Sequence, residues 1–359
     1  MKSAKSILEK ARKSLLAFFV LTSCVLTSCG GPSFVPNQDE NGTSPPDDLP
    51  TMAVPNSPTE ILFYNSYTGL ACDEEIASCR PISVCIGNFD GKLQNGLSNA
   101  DILIEAPVEN GETRLWMIAS DYRSIPALSS ISSTRTYMLP ISNAFGAISV
   151  FSGNLDKSSE PYPEGDYLDY SVQNESEAFW TDGAVLYSSG ARLDAAIAAL
   201  GYEQTLPSSP ILPYTLSAKD SDVSLIGNPI NDIKIEYGVG KETLFTYEKS
   251  SSQYLARRHG APYAVDENGS ALTFSNVLIL FHNVSDYHTE TESYFTLDAL
   301  AGGSGYCYTG GGVLRITWKY DEDGSLLFLN ESGEKLTLNR GRTYISMMKV
   351  TDAQKVIAK

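Results

Sequence analysis

The sequence predicts an α+β protein in which a mixed α/β N-terminal domain precedes a mainly antiparallel β C-terminal domain. Three observations predict this class. Residues 60–206 combine short strand-like runs with clear helical periodicity. In residues 207–359, almost every apolar run is strand-like. Between them, the segment "LPSSPILPYTLSAKDSD" carries three prolines that interrupt regular structure, which predicts a boundary after residue 206.

Four strands are predicted in the N-terminal domain. They correspond to "VCIGNF", "ADILIEAPV", "TRLWMIAS" and "GAISVFSG", which are rich in Ile, Val and aromatic residues and are bounded by Gly, Asn and Asp. The segment "SSTRTYMLPISNAF" predicts a short helix that Pro140 would break or kink. The segment "SSGARLDAAIAALGY" predicts a stronger helix, capped by a serine and ended by Gly201. Its apolar face is predicted to contain Leu193, Ile197 and Leu200.

The C-terminal domain is predicted to be a series of strands joined by tight turns. The strand-like runs are "DIKIEYGV", "ETLFTYE", "SQYLARR", "NVLILFHNV", "ESYFTL", "VLRITWKY", "SLLFLN" and "TYISMMKV". The joints "DENGS", "YDEDGS" and "NESGEK" are typical of hairpin turns. The glycine-rich segment "GGSGYCYTGGG" is followed by no helical pattern, so it predicts a tight turn or bulge and not a nucleotide-binding loop.

The first 28 residues have the pattern of a lipoprotein signal peptide. A flank of five basic residues precedes the apolar run "LLAFFVLTSCVLTS", which is too short to span a bilayer. The tetrapeptide Leu-Thr-Ser-Cys occurs twice in "LTSCVLTSCGG", and both copies fit a lipobox. Lipidation at Cys24 would leave an apolar core of only six residues, whereas Cys29 leaves a core of ordinary length. Cys29 is therefore the predicted lipidation site, and a membrane is a predicted partner through this anchor.

Residues 29–59 predict a disordered tether because they contain seven prolines and few apolar residues. Without the signal peptide, the chain has 21 Lys and Arg against 42 Asp and Glu, a formal charge of −21. An acidic surface is repelled by phosphate backbones, so we expect no nucleic acid partner.

The remaining cysteines allow several pairings. The loop "CDEEIASC" predicts a local disulfide between Cys72 and Cys79. Cys85 and Cys307 fit a second bridge or two buried thiols equally well. With no Cys-x-x-Cys pair in the sequence, we expect neither a metal site nor a cofactor.

The sequence contains no strong catalytic motif. It has no Gly-x-Ser-x-Gly elbow, no His-Glu-x-x-His helix and no phosphate-binding Gly-x-x-x-x-Gly-Lys loop. His282 and His288 are an even number of residues apart and would share a strand face, but such a pair is more often structural than metal-binding. The sequence thus predicts no catalytic residue.

Four segments, in order behind the lipobox and the tether, resemble the YerB-like bacterial lipoproteins, a two-part family of uncharacterised activity found mainly in Gram-positive bacteria. They are "NGLSNADILIEAPVENGETRLWMIAS", "FSNVLILFHNV", "GSGYCYTGGGVLRITWKY" and "GEKLTLNRGRTYISMM". The resemblance extends from about Pro81 to Val350. It implies a domain of unknown function on the extracellular side of the cell membrane.

This chain departs from the family pattern at several polar positions of the first half. Ser132 stands where the family has an arginine, Phe151 stands where it has a histidine, and "AV" at 184–185 replaces His-Asn. Phe and Ala cannot carry protons or bind metals, so a site built on those histidines would be lost or altered here. The family positions that remain are Asp101, Glu105, Arg114, Arg135, Tyr137 and Tyr187. Of these, Glu105, Arg114, Arg135 and Tyr187 form the candidate ligand site.

Two classes of function remain open from the sequence. The preferred interpretation is a non-catalytic binding module that recognises a cell-wall component, an envelope protein or a small ligand on the outer face of the membrane. The alternative is a cell-wall-acting enzyme or enzyme regulator with a cleft around Glu105, Arg114 and Arg135. Glu105 and Arg114 flank the turn "VENGE", so they could also form a simple ion pair across a hairpin.

Overall fold

A ten-stranded mixed sheet is the centre of the fold in the computed structural model. The structure describes residues 62–88, 94–153, 164–173, 177–206, 212–219, 229–258, 261–262, 269, 271–288 and 293–359. All of them belong to one compact unit. The predicted signal peptide, Cys24, Cys29 and the predicted tether lie outside the described residues.

The first half contains ten short or medium strands. They are β1 (Phe63–Tyr64), β2 (Ala71–Cys72), β3 (Ile82–Gly87), β4 (Ile102–Pro107), β5 (Thr113–Ala119), β6 (Ile148–Phe151), β7 (Tyr167–Asp169), β8 (Trp180–Asp182), β9 (Val185–Tyr187) and β10 (Thr215–Leu216). The α-helices are α1 (Glu74–Ser78), α2 (Leu139–Ala144) and α3 (Gly190–Ala199). Turns of 3₁₀ helix lie at Leu97–Asn99, Glu109–Gly111 and Thr136–Met138.

The second half is almost entirely β. Its strands are β11 (Asp232–Gly238), β12 (Lys241–Glu248), β13 (Gln253–Arg258), β14 (Ala261–Pro262), β15 (Thr273–Phe274), β16 (Asn276–His282), β17 (Val284–His288), β18 (Ser293–Leu297), β19 (Gly303–Thr309), β20 (Gly312–Tyr320), β21 (Leu326–Leu329), β22 (Thr337–Leu338), β23 (Thr343–Lys349) and β24 (Val356–Ala358). A 3₁₀ turn, Val350–Lys355, precedes the last strand. The protein is strand-rich with few helices, which confirms the α+β class in its coarser form.

The main sheet is shared between the two halves of the sequence. Its order is β21-β20-β19-β16-β23-β4-β5-β3-β6-β7. The late strand β23 pairs in parallel with β16 on one side and with β4 on the other. The segment after residue 206 therefore separates the halves in sequence, while β23 joins them by backbone hydrogen bonds.

One face of the main sheet is covered by α3 in the first half and by a second sheet in the second half. The second sheet has the order β14-β13-β12-β11-β24, with β15 paired to β13. Leu193 and Ile197 of α3 belong to the same buried cluster as the second sheet's apolar residues. Tyr344 of β23 lies 4.7 Å from the Phe245 ring and 5.2 Å from the Phe274 ring, measured between centroids. These aromatic contacts are of the edge-to-face type that stabilises sheet packing.

The opposite face is covered by α2 and by the paired strands β10 and β22. Leu139 and Ile141 of α2 are buried in one apolar cluster with Trp116 and Leu338. Every residue of β4 and β5 is buried, because both of their faces are covered. Among the described residues, no helix is both long and apolar enough to cross a membrane.

The two predicted helices form, with changes at their ends. Pro140 does not break its helix; it lies in the first turn of α2, where the missing N–H removes no intrahelical hydrogen bond. Ser189 caps α3 by accepting a hydrogen bond from the backbone N–H of Arg192 at 3.4 Å. Gly201 follows the helix with a positive φ, as its predicted role as terminator requires. Leu200 is 44% exposed, because it lies at the cap and not on the buried face.

The glycine-rich segment contains the largest departure from the predicted elements. Only Gly310 and Gly311 form the expected tight turn, both with positive φ. The preceding residues form β19, an internal strand paired with β16 and β20. An added Cβ at Gly305 would lie 2.3 Å from the carbonyl oxygen of Ile279, so glycine here permits close approach of the neighbouring backbone.

Candidate functional site

Glu105 forms the centre of a buried hydrogen-bonded cluster. It lies on β4 and is 1% exposed. Its Oε1 accepts hydrogen bonds from Asn88 Nδ2 at 2.9 Å and from Thr113 Oγ1 at 2.7 Å. Its Oε2 accepts hydrogen bonds from Thr243 Oγ1 at 2.8 Å and from the Tyr344 hydroxyl. We call these five residues the Glu105 cluster.

The Glu105 cluster joins distant parts of the chain. Asn88 and Thr113 come from the first half, Thr243 comes from the second sheet, and Tyr344 comes from the shared strand β23. A buried carboxylate is stable only when its lone pairs are satisfied, and here both oxygens have two donors. The carboxylate therefore serves as an internal connection between the two sheets.

Arg114 projects from the other face of the main sheet. The register of β4 and β5 places Glu105 opposite Leu115 and Arg114 opposite Ala106. Because neighbouring residues of a strand point to opposite faces, Glu105 and Arg114 diverge. Glu105 and Arg114 therefore do not form the ion pair across the β4–β5 hairpin that was considered from the sequence.

Arg114, Arg135 and Glu109 are near enough for their charges to influence one another, and we call these three residues the Arg135 cluster. Arg135 is 3% exposed, and its Nε donates to Glu109 Oε1 at 3.1 Å. Its Nη2 also donates to Glu109 Oε2, so the guanidinium contacts both carboxylate oxygens. The Nη1 of Arg114 donates to the carbonyl oxygen of Thr113 at 3.2 Å.

The charges of the Arg135 cluster influence one another. Burial lowers the pKa of Arg114, and the positive charge of Arg135 lowers it further. Burial by itself would raise the pKa of Glu109, but the hydrogen bonds and positive charge of Arg135 outweigh it and lower that pKa below its ordinary value. Glu109 is thus held ionised as the partner of Arg135.

Tyr187 belongs to a third local structure. On the β8–β9 hairpin its ring stacks on Trp180, with 5.5 Å between centroids and 13° between planes. The guanidinium of Arg192, which belongs to α3, lies 4.9 Å from the centre of the Trp180 ring. Of the four candidate ligand residues, the structure thus brings Arg114 and Arg135 together, and places Glu105 and Tyr187 elsewhere.

The structure corrects the predicted Cys72–Cys79 disulfide. All four described cysteines are free thiols, including Cys85 and Cys307. Cys79 is buried, and its sulfur accepts a hydrogen bond from Arg123 Nη1 at 3.0 Å, whereas Cys72 lies on the small β1–β2 hairpin. Burial raises the pKa values of Cys85 and Cys307 to about 12, so neither is a reactive thiolate at neutral pH.

His282 is a structural core residue. It is fully buried, and its ring centroid lies 4.3 Å from that of Trp318. Burial lowers its pKa to about 4, so the imidazole is neutral at pH 7. The side chain of His288 lies outside the described residues. Within the part of the chain that the structure describes, no three His, Cys, Asp or Glu residues cluster as metal ligands would.

An open groove of about 720 Å³ lies on the main sheet in the second half. We call it the aromatic groove. Its floor and walls are formed by Phe281, Ser304, Gly305, Tyr306, Arg315, Ile316, Thr317, Asn330, Glu331 and Gly333. Directly opposed pairs, Tyr306 with Arg315 and Ser304 with Thr317, place four of these side chains on one sheet face. Its volume falls within the roughly 300–1,000 Å³ usual for ligand clefts.

The aromatic groove exposes polar groups that the fold does not use. Tyr306 is half-buried, and its ring meets Phe281 edge-on at 5.9 Å. Arg315, Thr317 and Glu331 are exposed. Their side chains, and the Tyr306 hydroxyl, have no hydrogen-bond or ion-pair partner among the described residues.

Sequence reasoning did not identify the aromatic groove, because its central strand was hidden by glycines. A signal was nevertheless present: in "GSGYCYTGGGVLRITWKY" two tyrosines alternate with small residues before three glycines, and the next run carries Arg315 and Thr317 on alternate positions. Interpreted as a β-hairpin, this segment places Tyr306 beside Arg315.

Two family models match the chain. "Protein of unknown function (DUF3048) N-terminal domain" matches residues 67–203, and "Protein of unknown function (DUF3048) C-terminal domain" matches residues 233–345. A curated relative, "Putative lipoprotein YerB" from Bacillus subtilis (strain 168), is 25% identical over 300 residues, which cover 80% of this chain and 87% of the relative. The crystal structure of YerB protein from Bacillus subtilis aligns with a TM-score of 0.68 and 22% identity, over 83% of this chain and 99% of that chain. The solved structure establishes a shared fold.

Proposed function

This chain belongs to the YerB-like family of paired DUF3048 domains, and from that membership we propose that it is a lipid-anchored binding protein of the bacterial cell envelope. The name of the curated relative supports a lipoprotein, and the lipobox of this chain supplies its own attachment point at Cys29. Two acyl chains would hold the protein stably on the outer face of the membrane, whereas one chain gives only marginal binding.

Metabolic labelling tests the anchor directly. The full chain is expressed with a labelled fatty acid in a Gram-positive host, as wild type, Cys24→Ala and Cys29→Ala. We expect label and membrane association in the wild type and in Cys24→Ala, and loss of both in Cys29→Ala. If the label is lost in Cys24→Ala and kept in Cys29→Ala, the lipidated residue is Cys24 and cleavage occurs before it. If the wild type carries no label, lipidation is refuted.

The state of Glu105 is the observation that carries a binding role in preference to catalysis. Its carboxylate is 1% exposed and already accepts four hydrogen bonds, so it has no lone pair directed at a substrate. Arg135 is likewise engaged by Glu109. In contrast, the aromatic groove presents exposed polar side chains that remain available for a ligand. This contrast supports a surface that binds and does not transform its partner.

A cell-wall-acting enzyme or enzyme regulator is the second candidate. The observation in its favour is that the positive charges of Arg114 and Arg135 influence each other, since two neighbouring guanidinium groups suit an anionic substrate. The argument against an anionic substrate is that the Glu109 carboxylate already forms an ion pair with Arg135.

Sedimentation with isolated envelopes separates the two candidates. The full chain in detergent is mixed with envelopes whose proteins are either retained or removed by protease, and the supernatant is analysed for released wall fragments. We expect co-sedimentation without release of fragments, and the protease arm tells a wall partner from a protein partner. Failure to sediment with either preparation would refute binding. Release of wall fragments by the wild type would refute the binding proposal in favour of the enzyme.

A further inference from the structure

We propose that the aromatic groove binds a neutral glycan chain, with the Tyr306 ring as its stacking surface and Arg315 and Thr317 as hydrogen-bonding groups. The inference rests on the proposed envelope-binding function and names the ligand class for it. The surface involved is the sheet face at β19 and β20, together with the turn at residues 330–333.

The aromatic part of the groove suits a sugar ring. Tyr306 is half-buried, so one side of its ring is held by packing while the rest stays accessible. The edge-on contact with Phe281 at 5.9 Å fixes its orientation before any ligand arrives. A pyranose ring presents a flat patch of C–H groups that packs on such a surface, while its hydroxyls remain directed at the rim.

The polar part of the groove suits those hydroxyls. Arg315 offers up to five N–H donors, and Thr317 offers a hydroxyl that both donates and accepts. Neither side chain has a hydrogen-bond or ion-pair partner among the described residues. Glu331 adds an exposed acceptor at the turn after β21 that also lines the groove. Groups of this kind, placed around an aromatic platform, fix the orientation of a polyol without requiring ligand charge.

The charge balance of the groove favours a neutral chain over a polyanion. The lining contains one cationic side chain, Arg315, and one anionic side chain, Glu331. The whole sequence carries a formal charge of −17, which repels polyanions at longer range. A phosphate-rich polymer would be repelled both by the Glu331 carboxylate and by the net negative charge of the protein. A neutral glycan is repelled by neither.

The groove is also preorganised, because its floor is a tightly spaced part of the sheet. At Gly303 an added Cβ would lie 2.3 Å from the carbonyl oxygen of Phe281, and at Gly305 the same distance from that of Ile279. The backbones of β16 and β19 thus approach more closely than larger residues allow, and residues 305–309 of β19 are paired with β16 on one side and with β20 on the other. A rigid floor lowers the ordering cost of binding.

Calorimetric titration of the full detergent-solubilised chain tests the inference. The probe is chitotetraose, a neutral tetramer of N-acetylglucosamine, and inorganic polyphosphate is the charged comparison. The variants are Tyr306→Ala, Tyr306→Phe and Arg315→Ala, with Lys319→Ala as the matched control. Lys319 is an exposed cation of the same strand that lies outside the groove and pairs with Asp321 at 3.5 Å. Circular dichroism confirms that each variant is folded.

We expect chitotetraose to bind the wild type, with about tenfold weaker binding in Tyr306→Ala and near wild-type binding in Tyr306→Phe, which keeps the ring. Arg315→Ala is expected to weaken binding about fivefold and Lys319→Ala to leave it unchanged. If the wild type sediments with envelopes but does not bind chitotetraose, or binds it equally well as Tyr306→Ala, the groove assignment fails and the proposed function stands. If polyphosphate binds and chitotetraose does not, the neutral ligand class is wrong. Absence of envelope binding would refute the proposed function itself.

Discussion

The Glu105 cluster and the aromatic groove both contain polar side chains of the ten-stranded sheet, but the fold buries and pairs those of the cluster and leaves those of the groove exposed. In the cluster, the Glu105 carboxylate is buried and accepts four hydrogen bonds. In the groove, Arg315 and Thr317 are exposed and have no hydrogen-bond or ion-pair partner among the described residues. Polar residue types alone therefore do not identify a ligand-binding site; their burial and hydrogen bonding must also be known.

The physical reason lies in the cost of burial. A charged group taken out of water must have its hydrogen bonds replaced, so a buried carboxylate is committed to its neighbours. An exposed side chain keeps its water, which a ligand can displace at little cost. Substitutions in the two regions should therefore have opposite signatures: stability should change in one, and ligand binding in the other.

The largest expected effect is that of Glu105→Ala. It removes the acceptor of four buried donors, so we expect the free energy of unfolding to fall by about 3–5 kcal/mol, as when one partner of a buried charged network is lost. Urea unfolding of the full chain followed by intrinsic fluorescence measures this. The matched control is Glu331→Ala, which removes an exposed carboxylate and should change stability by less than about 0.5 kcal/mol. Equal effects of the two substitutions would abolish the distinction between the regions.

Much of the fold was predictable because burial leaves a pattern in the sequence. The runs that became β3, β4, β5, β11 and β12 alternate or are continuously apolar, and their bounding residues mark the ends. The insertion of β23 between β4 and β16 was not predictable, because a strand's pattern records that it is buried and not which strand it pairs with.

The positions of the candidate side chains were only partly predictable. The hairpin register is symmetric about Asn110, so a residue five positions before it faces one five positions after it; this count already pairs Glu105 with Leu115 and not with Arg114. The contacts of Glu105 with Thr243 and Tyr344 depend on the packing of the two sheets, which leaves no local signal. The aromatic groove was missed because Gly303 and Gly305 lower the strand propensity of the segment that forms β19, although the close approach of the neighbouring backbone requires glycine there.

Arg135→Ala is the next largest perturbation and tests whether the Arg135 cluster is structural. Loss of a nearly buried guanidinium that contacts both oxygens of Glu109 should lower the free energy of unfolding by about 3 kcal/mol. A double-mutant cycle with Glu109→Ala should give a coupling of about 1–2 kcal/mol. Because the folded-state pKa of Glu109 is lowered, its stabilisation is present above the ordinary Glu pKa and is lost as pH falls below it; Arg135→Ala should flatten that acid-side loss. A coupling near zero would reopen the cluster as a ligand site.

His282 provides an intermediate effect in the core on the sheet face opposite the aromatic groove. Its pKa is lowered from 6.5 to about 4 by burial, so the unfolded chain binds more protons between these values and stability falls with decreasing pH. Between pH 7 and pH 5 the wild type should lose about 2 kcal/mol more than His282→Phe, which does not titrate. Urea unfolding at both pH values measures the difference. Parallel pH profiles for the two proteins would show that folding does not lower the pKa of His282, and its surroundings would then be more hydrated than the structure indicates.

The smallest expected effect on stability is that of Arg315→Ala. A small effect would show that Arg315, unlike Arg135, does not stabilise the fold. Arg315 and Arg135 carry the same charge, but Arg315 is exposed and has no ion-pair partner among the described residues, so its loss should change the free energy of unfolding by less than about 0.5 kcal/mol. Urea unfolding of the two alanine variants side by side measures the contrast. A large loss of stability in Arg315→Ala would mean that the guanidinium stabilises the fold. A negligible loss of stability, together with weaker chitotetraose binding, would mean that this arginine binds a ligand and does not stabilise the fold.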